Sequence, residues 1–473
     1  FFGFSQEDLQ FFYFYCIIAY IILPANRHDM HTAQIFTEIF MYIYFYTFGC
    51  KVNVYETAAM SEAFEKAGYT VTQVRELADI LVINSCTVTS ESDSKLMQTI
   101  RRIRREKPDG VIVLTGCYPQ AFPNEAKACG ADVITGTKDR SRIVELTEEF
   151  LKSKQQTCGI TPYMPHDEFE KMPVSAVEGH TRAFMKIQDG CNAFCTYCII
   201  PYSRGRIRSM PIDGVISEAK LLAKNGYKEI VLVGINLAFY GAEFGLRLAD
   251  AVEAVCSVDG IERVRLGSLE PEKITYDDLK RLAAQPKFCP SFHLSLQSGC
   301  DRTLKAMNRR YTSAEFEELV GRIRNIFPDC GITTDIMTGF PCETEEDHKK
   351  SLEFAERIGF SDIHVFPYSR RKGTKADLME PQVPGDVKKR RAKEMAEVGA
   401  KSRDKFLQSL AGKEFPVLFE REKADGIHHG YAPNYAYIKI LTKYSEKSLR
   451  KMIFYVKIDK IEDGCCFGHI VTE

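Results

Sequence analysis

The sequence has almost no net charge, because its 63 lysines and arginines nearly balance its 64 aspartates and glutamates. This balance excludes a uniformly basic coat for nucleic acid, although it allows local basic surfaces. Hydrophobic residues make up 45% and charged residues 27% of the chain, which excludes a disordered or low-complexity protein. A chain of 473 residues is too long for one compact domain, and we expect two or three.

The sequence also lacks an apolar run long enough to cross a membrane. Residues Phe11 to Leu23 form an apolar run of thirteen residues, whereas a membrane-spanning helix needs roughly 20. No lysine or arginine precedes this run, so it is not typical of a signal peptide. We predict that residues 1–40 are a leader outside the working protein, that Met41 is the true start, and that the protein has no membrane partner. A membrane anchor and an unusual core extension are the alternatives for the leader.

From Met41 onward, strand-like apolar runs alternate with amphipathic helical stretches, a pattern typical of a parallel α/β sheet. Strands are predicted at residues 41–47, 79–84, 110–115 and 132–135, and the main helices at 52–67 and 91–107. We assign residues 41–152 to an open parallel α/β domain. A polar stretch with prolines follows, and residues 153–179 are interpreted as a linker.

A second series of strands and helices occupies residues 180–408. Its six strands are predicted at 183–187, 229–233, 263–268, 291–296, 331–337 and 363–367. Six such units fit a partial TIM-type (β/α)6 barrel, which carries its active site at the carboxyl ends of the strands. Residues 409–473 contain short strand-like segments separated by turns, which predict a small antiparallel β-barrel of a kind that often holds RNA or sugars.

The sixteen cysteines indicate metal or redox chemistry, because a chain of this length is not a disulfide-stapled mini-domain. Cys191, Cys195 and Cys198 lie within eight residues, just after the first predicted barrel strand. Thiolates at this spacing can bind three irons of a cubane and leave the fourth iron open for a ligand. A zinc site would need a fourth protein ligand at ordinary spacing. Zinc and buried structural cysteines are the alternatives.

Cys50, Cys86 and Cys117 each follow a predicted strand of the first domain. Because the carboxyl ends of parallel strands meet at the edge where open α/β sheets bind ligands, these thiols should converge. The alternative is that they are simply buried, as free cysteines often are. We interpret them as a second three-cysteine site with an open iron, and most of the other cysteines as structural.

Basic residues are clustered although the total charge is close to zero. Candidate contacts with RNA phosphates follow the Cys198 loop, follow the last barrel strand, and lie in the β-rich tail: Arg204, Arg206, Arg370, Arg371, Lys439 and Lys443. Tyrosines near the two lysines could add base stacking. The alternative for each basic run is a solvated face without a partner.

The motif from Cys191 to Cys198, with Tyr197 before the last cysteine, resembles the signature of the radical S-adenosylmethionine (SAM) superfamily. The resemblance implies a [4Fe-4S] cluster whose open iron binds S-adenosylmethionine, the cofactor that carries the radical chemistry. It also implies cofactor contacts at Tyr197, Gly234, Asn236, Ser295, Gln297, Asp335 and Gly339. The alternative for each of these residues is an ordinary strand end or turn.

The segments 46–53, 83–89 and 115–120 resemble the methylthiotransferase family, whose domain order covers the chain from Met41 to Glu473. The resemblance implies a second [4Fe-4S] cluster on Cys50, Cys86 and Cys117, and a carboxy-terminal barrel of the TRAM type. It further implies a cytoplasmic enzyme with tRNA as its partner, a sulfur source, and an electron donor such as flavodoxin or ferredoxin.

Members of this family act on isopentenyl-adenosine in tRNA, on threonylcarbamoyl-adenosine in tRNA, or on an aspartate of a ribosomal protein. The segments 49–57 and 364–370 resemble the threonylcarbamoyladenosine group. Its anionic carboxylate would favour a cation, and Arg370 or Arg371 could supply one. We therefore expect methylthiolation at C2 of threonylcarbamoyl-adenosine beside the anticodon, with the isopentenyl substrate as the alternative. A non-catalytic RNA-binding protein with structural zinc is the alternative from another class.

Overall fold

The computed structural model describes residues 41–177, 179–422, 426–441 and 448–472. Within these ranges, the residues from Tyr42 onward belong to one compact unit. The predicted leader at residues 1–40 lies outside the described residues, and so does Lys443. In the described ranges, none of the helices combines the length and the apolar character needed to span a bilayer.

The amino-terminal domain is built on a six-stranded sheet in which all neighbouring strands are parallel, as the alternating pattern predicts. Its strands are β1 (Tyr42–Thr47), β2 (Thr70–Val71), β3 (Ile80–Ser85), β4 (Val111–Gly116), β5 (Val133–Ile134) and β6 (Thr157–Cys158). Its helices are α1 (Lys51–Lys66), α2 (Ser90–Glu106), α3 (Cys117–Ala121), α4 (Pro123–Lys127) and α5 (Ile143–Ser153). The spatial order is β2-β1-β3-β4-β5-β6, and β3 and β4 are buried along their whole length.

The stretch interpreted as a linker, residues 153–179, is packed rather than loose over much of its length. Its first part supplies β6, which extends the amino-terminal sheet. Further along, Val174 and Val177 are buried together with Val52 of α1 and Val231 of the next domain. These valines fill the contact between the two domains, which explains why a generally polar stretch is ordered.

The central domain is a partial barrel of parallel strands, as the sequence predicts. Its strands are β7 (Ala183–Lys186), β8 (Gln188–Asp189), β9 (Arg208–Ser209), β10 (Glu229–Val233), β11 (Arg263–Leu266), β12 (Ser268–Leu269), β13 (Ser291–Gln297), β14 (Gly331–Thr338) and β15 (Asp362–Pro367). The parallel strands run in the orders β7-β10-β11 and β12-β13-β14-β15, so the strand predicted at 263–268 is divided between two sheets. The short antiparallel pair β8–β9 was not predicted.

Eight helices of the described residues cover this barrel or lead away from its strands. They are α6 (Ile200–Arg204), α7 (Ile212–Lys224), α8 (Leu248–Cys256), α9 (Tyr276–Ala283), α10 (Asp301–Ala306), α11 (Ser313–Ile326), α12 (Glu345–Ile358) and α13 (Gly385–Gln408). Three of them begin with a threonine and an acidic residue in a capping box: Thr275, Thr312 and Thr344. Such reciprocal hydrogen bonds fix where each helix starts.

The carboxy-terminal domain is a closed five-stranded barrel in the order β16-β17-β18-β20-β19. Its strands are β16 (Glu414–Phe419), β17 (Ile427–Tyr431), β18 (Tyr437–Leu441), β19 (Ile453–Glu462) and β20 (Cys465–Thr472). The predicted small barrel is thus present. It differs from the predicted antiparallel barrel in one pairing. β19 and β20 form an antiparallel hairpin, and β20 pairs with β18 in parallel.

Buried arginines fasten this barrel to the central domain. Arg265 donates to the carbonyl oxygens of Pro433 and Ala432 at 2.8 and 3.1 Å, and its Nε donates to Glu229 at 2.9 Å. Arg263, two residues earlier on β11, donates to the carbonyl of Tyr431 at 3.0 Å. The carboxy-terminal barrel therefore has a fixed position beside β11 of the central domain.

Candidate functional site

Cys50, Cys86 and Cys117, here called the amino-terminal trio, meet at the carboxyl edge of the amino-terminal sheet. Cys50 precedes α1, Cys86 follows β3, and Cys117 begins α3. The Gly49 backbone packs so closely on Cys86 that an added β-carbon would lie 2.8 Å from the Cys86 β-carbon. The charge of Cys117 acts on both Cys50 and Cys86, and the charge of Cys50 acts on Cys86. The structure thus brings these three residues together.

The surroundings of Cys50 and Cys86 favour protonated thiols unless a positive charge is supplied. Burial raises the pKa of the Cys86 thiol, and it also raises that of Cys50, although part of Cys50 is open to a cavity. Arg204 acts in the opposite direction on both thiols, and its Nε donates to Cys117 Sγ at 3.3 Å. A bound metal would supply further positive charge and allow all three to be thiolates.

Cys191, Cys195 and Cys198, here called the barrel trio, lie on the loop between β8 and α6. Asn236 Nδ2 donates to Cys191 Sγ at 3.3 Å, and Arg309 Nη1 donates to Cys195 Sγ at 3.4 Å. Burial raises the pKa of all three thiols, and the charge of each neighbouring cysteine adds to this effect at Cys198. The loop therefore gathers three thiols around donors that would stabilise thiolates.

Gly116 precedes Cys117 and Gly190 precedes Cys191, and neither glycine could be replaced without a shift of the backbone. Gly116 has a φ of +102° and Gly190 a φ of +73°, both in the left-handed region that favours glycine. At each position, an added β-carbon would overlap a backbone oxygen of a neighbouring segment. These glycines set the direction in which Cys117 and Cys191 leave their strands.

Neither trio is arranged as a site for a single metal ion in the part of the chain that the structure describes. Among the described residues, no three His, Cys, Asp or Glu side chains converge closely enough to hold one metal ion. A zinc ion needs its ligands about 2.3 Å from one centre, whereas each thiolate of a cubane binds a different iron and can lie farther from the others. Three thiols without a fourth protein ligand also leave one iron open.

A cavity of about 980 Å³ lies between the three domains and reaches the amino-terminal trio. Cys50 and Lys51 form part of its wall on the amino-terminal side. The barrel lumen and the carboxy-terminal barrel supply a polar and aromatic lining: Ser291, His293, Thr333, Asp335, His364, Tyr435, Tyr437 and Lys439. Within this wall, His293 Nε2 lies 3.2 Å from Asp335 Oδ2.

Four of the residues expected to contact the cofactor lie at the cavity or beside the barrel trio. Gly234 and Asp335 line the cavity. Asn236 is buried, and its Oδ1 has no hydrogen-bond partner within the described part of the chain. Tyr197 packs edge-on against Phe340, with ring centroids 6.4 Å apart. The orphaned Asn236 oxygen, next to a sulfur ligand, is suited to accept a hydrogen bond from a bound amino group.

The other three expected cofactor residues have internal contacts or special backbone geometry. The carbonyl oxygen of Ser295 accepts hydrogen bonds from Arg309 at 2.8 Å and Tyr311 at 2.5 Å. Gln297 has a φ of +68° where the pairing of β13 with β14 shifts register. The amide of Gly339 donates to Glu343 Oε1 at 3.0 Å. Their roles as cofactor contacts stay predictions.

Two arginines expected to contact RNA are instead buried inside the protein. Arg204 is fully buried and pairs with Glu56, and Arg371 is nearly so and pairs with Asp93 at 2.7 Å. Both stand in arginine-rich runs that look like surface, but a carboxylate of the amino-terminal domain faces each one. The structure therefore gives them an internal role and not the expected contact with phosphate.

The remaining candidate RNA contacts are accessible where they are described. Arg206 and Arg370 are exposed, and Arg370 Nε also donates to Asp377 at 2.6 Å. Lys439 is half-buried in the cavity wall, with its amino group 5.8 Å from the centre of the Tyr437 ring. Their contacts with RNA stay predictions.

Sequence reasoning missed a set of buried charges between the two trios. Glu56 lies on α1, Lys186 ends β7, and Asp189 ends β8, just before the barrel trio. The available signal was Lys186, a lysine in a parallel strand where an apolar residue is expected. The partners of these charges could not be identified without the fold.

Comparison with known proteins matches two parts of the chain to described families. Residues 42–136 match the Uncharacterized protein family UPF0004, and residues 185–355 match the Radical SAM superfamily. The amino-terminal trio falls in the first match and the barrel trio in the second. The Radical SAM match brings with it a [4Fe-4S] cluster and S-adenosylmethionine as the cofactors of that superfamily.

Named relatives cover most of the chain. An Aquifex aeolicus protein named threonylcarbamoyladenosine tRNA methylthiotransferase MtaB is 37% identical, over 81% of this chain and 93% of its own. A Thermotoga maritima protein of the same name is 40% identical, over 82% of this chain and 89% of its own. A Pelotomaculum thermopropionicum protein named tRNA-2-methylthio-N(6)-dimethylallyladenosine synthase is 35% identical, over 82% of this chain and 88% of its own.

The fold has a solved counterpart in the radical S-adenosylmethionine methyltransferase TsrM from Kitasatospora setae. The two structures superpose with a TM-score of 0.55 at 13% identity, over 72% of this chain and 77% of that chain. This likeness supports the architecture alone. Because the relatives are more than 30% identical and are covered over most of their length, the chain belongs to the radical SAM methylthiotransferase family and is an enzyme of that class.

Proposed function

We propose that this enzyme methylthiolates tRNA, and that its target is C2 of N6-threonylcarbamoyladenosine beside the anticodon. The observation that carries the proposal is that one cavity reaches the amino-terminal trio and extends to Gly234, close to the barrel trio. Cys50 forms part of the cavity wall, and Cys191 contacts Asn236, two residues after the wall residue Gly234. One bound nucleoside could therefore reach both sites.

In this proposal each trio holds one [4Fe-4S] cluster through three thiolates. When bound, S-adenosylmethionine at the barrel trio supplies the radical, and the cluster at the amino-terminal trio supplies the sulfur group. Gly234, Asn236 and Asp335 are the residues whose positions suit contacts with the cofactor. The spacing of both trios, with no fourth protein ligand, supports this arrangement over structural zinc.

The chain itself holds the barrel trio in place. Arg309 donates to Cys195 Sγ at 3.4 Å and to the carbonyl of Ser295 at 2.8 Å, so it ties the cysteine loop to β13. The same side chain forms an ion pair with Glu270 and is almost fully buried. A charged side chain held by three partners cannot reorient easily, which keeps the loop over the barrel mouth.

The polarity of the cavity favours the threonylcarbamoyl substrate. Its lumen presents hydroxyl, imidazole and carboxylate groups, and Lys51, Arg403 and Lys439 add cations to the wall. A threonyl group offers a carboxylate and a hydroxyl that can pair with such groups, whereas an isopentenyl group would leave them unpaired. These cations replace Arg370 and Arg371 as candidates for the substrate carboxylate, because Arg371 is buried and Arg370 is paired with Asp377.

The isopentenyl substrate is the second candidate, and the name of the Pelotomaculum relative supports it. We further propose that the enzyme works in the cytoplasm and receives electrons from a carrier such as flavodoxin or ferredoxin. It also needs an external source of sulfur, because each product retains a sulfur atom.

The test uses full-length enzyme reconstituted with iron and sulfide without oxygen. About eight irons per chain are expected for two cubanes, and a colourless zinc-loaded protein would favour the non-catalytic alternative. The enzyme is then incubated with tRNA carrying either threonylcarbamoyl- or isopentenyl-adenosine, and the RNA is digested to nucleosides. We expect methylthio product from the first tRNA. Product only from the isopentenylated tRNA would overturn the substrate choice. Product from neither tRNA would make a protein the next candidate substrate.

A further inference from the structure

A buried ion network lies between the amino-terminal trio and the barrel trio. Glu56 of α1 accepts from both terminal nitrogens of Arg204, at 2.5 and 3.0 Å. The same carboxylate lies 3.0 Å from Arg140 and 3.1 Å from Lys186. Asp189 lies 3.2 Å from Lys186 and 3.4 Å from Arg204. All of these side chains are buried, so the charges act in a medium that screens them poorly.

The network contains more positive than negative charge. Arg208, 3.8 Å from Asp189, is the fourth cation, so four cations face two carboxylates. Burial alone would raise the pKa of Glu56, but Arg140 and Arg204 hold it below its usual value, so it is ionised at neutral pH. Buried charge without compensation is costly. A further anion should therefore lie nearby.

Two other carboxyl groups on which the network acts do not supply that anion. Asp167, on which Arg208 acts, is already paired with Lys138 at 2.8 Å. Glu218 faces Tyr55, and Lys186 acts on it from the network. Burial raises the pKa of Glu218 to about 8, so most of this group is neutral at pH 7. Another anionic group must therefore neutralise the excess positive charge of the network.

The amino-terminal trio is suited to be the missing anion. Arg204 Nε, the nitrogen that Glu56 does not use, donates to Cys117 Sγ at 3.3 Å. Three thiolates around a [4Fe-4S]²⁺ core carry a net negative charge. The other end of the network approaches the barrel trio, because Asp189 Oδ1 accepts from the amide of Gly190, directly before Cys191. Arg204 thus lies between the two sites.

We propose that Arg204 is a positioning residue that neutralises the cluster on the amino-terminal trio and couples its presence to the docking of the amino-terminal domain on the barrel. The inference rests on the proposed function in one respect, that this trio holds an iron–sulfur cluster. A hydrogen bond to a ligating sulfur and a nearby positive charge both favour the reduced cluster, which is the more negative form. Arg204 therefore raises the reduction potential of this cluster, and the cluster stabilises the contact between the domains.

The first experiment measures the potential of the amino-terminal cluster alone. The parent is the full chain with Cys191, Cys195 and Cys198 replaced by alanine, reconstituted and titrated under monitoring by electron paramagnetic resonance. Arg204→Gln should make reduction about tenfold less favourable, a fall of about 59 mV for one electron. Arg204→Lys keeps the positive charge but lacks the second guanidinium branch. The reduction potential of the cluster should therefore fall by less in this variant than in Arg204→Gln.

Arg140→Gln is the matched control for this measurement. Arg140 belongs to the same network and contacts the same carboxylate, but unlike Arg204 it is not among the main groups that act on Cys50 or Cys86. The reduction potential of the amino-terminal cluster in Arg140→Gln should stay closer to that of the parent. Equal potentials for the parent, Arg204→Gln and Arg204→Lys would overturn the inference. If Arg204→Gln does not fold, Arg204→Lys decides, because it preserves the buried charge.

The second experiment measures the coupling between cluster and docking. In the parent, reconstitution should raise the unfolding temperature, and this gain should shrink in Arg204→Gln and Arg204→Lys. An undiminished gain in both would contradict the coupling. A parent that binds no iron would instead overturn the proposed function, so the two failures are distinguishable.

Discussion

Gly190 shows how a residue without a side chain can determine the position of the cysteine that follows it. It has a φ of +73°, and an added β-carbon would overlap the carbonyl oxygen of Arg206. Gly190→Ala should therefore displace the backbone before Cys191 and prevent the barrel trio from holding iron. We expect iron content to fall to the background value in a chain whose amino-terminal trio is replaced by alanine, measured after anaerobic reconstitution.

The control for this prediction is Gly226→Ala. Gly226 has a φ of +77°, but nothing lies within 4 Å of the position where its β-carbon would stand. The variant should lose only about 1–2 kcal/mol of stability from the left-handed backbone and bind iron normally. Normal iron binding by Gly190→Ala would show that the loop adapts.

The six cysteines should separate into two functional sets. Cys195→Ala should abolish release of 5′-deoxyadenosine from S-adenosylmethionine, because an open-iron site of this type needs all three thiolates. Cys86→Ala should retain that release but stop formation of methylthio product, because the amino-terminal trio stands on a separate sheet. The exposed Cys158 provides the control for thiol removal, and Cys158→Ala should retain both activities. Normal 5′-deoxyadenosine release from Cys195→Ala would reject the assignment.

At the scale of elements, the contact between α1 and α7 should make stability depend on pH. Tyr55 of α1 donates to Glu218 of α7 at 3.2 Å, and burial raises the pKa of Glu218 from 4.5 to about 8. The unfolded chain releases the Glu218 proton near pH 4.5, whereas the folded protein keeps it until about pH 8. The free energy of unfolding therefore falls as the pH rises through this range. From pH 6 to 8 the loss should be about 2 kcal/mol.

Glu218→Gln should remove this dependence, because the amide cannot ionise but still offers Tyr55 an acceptor. The free energy of unfolding, measured in denaturant at pH 6, 7 and 8, should decline less in the variant than in the parent. Glu356→Gln, on the exposed face of α12, should follow the parent curve. Parallel curves for Glu218→Gln and the parent would contradict the proposed protonation.

The elements that sequence patterns predicted are those with long apolar runs. β3 and β4 consist of buried runs, and the structure confirms them with shifts of one residue. β17 could not be predicted in this way, because its sequence, from Ile427 to Tyr431, contains two histidines and a glycine and no apolar run. The pair β8–β9 was missed because strands of two residues show no periodicity.

In the candidate site, too, the residues recognisable from local sequence could be predicted, and the contacts between residues distant in sequence could not. The six cysteines could be found because their spacing and their places after strands are local features. Glu56 and Arg204 lie 148 residues apart, so no spacing rule joins them. Arg204 was assigned to RNA because its run of arginines resembles a surface, and only the fold shows the carboxylate opposite it.

At the scale of the whole molecule, each domain supplies part of the cavity wall. Lys51 comes from the amino-terminal domain, Asp335 from the barrel and Tyr435 from the carboxy-terminal barrel. Tyr435 contacts the other two domains, with Lys51 Nζ 5.7 Å and the Arg265 guanidinium 4.2 Å from its ring centre. A substrate in this cavity would therefore be enclosed only when the three domains are assembled.

The same arrangement predicts how binding of tRNA responds to salt. The chain has a net charge of −1, so affinity for RNA has to come from local cations such as the exposed Arg206 and the cavity residue Lys439. If each contacts one phosphate, Arg206→Gln and Lys439→Gln should each weaken binding and reduce the slope of log affinity against log salt by about 1. Filter binding or fluorescence anisotropy between about 50 and 200 mM salt measures this slope. Lys350→Gln removes an exposed cation of α12 that pairs with Glu346, and it should leave the slope unchanged. An unchanged slope in both test variants would place the RNA on another face of the molecule.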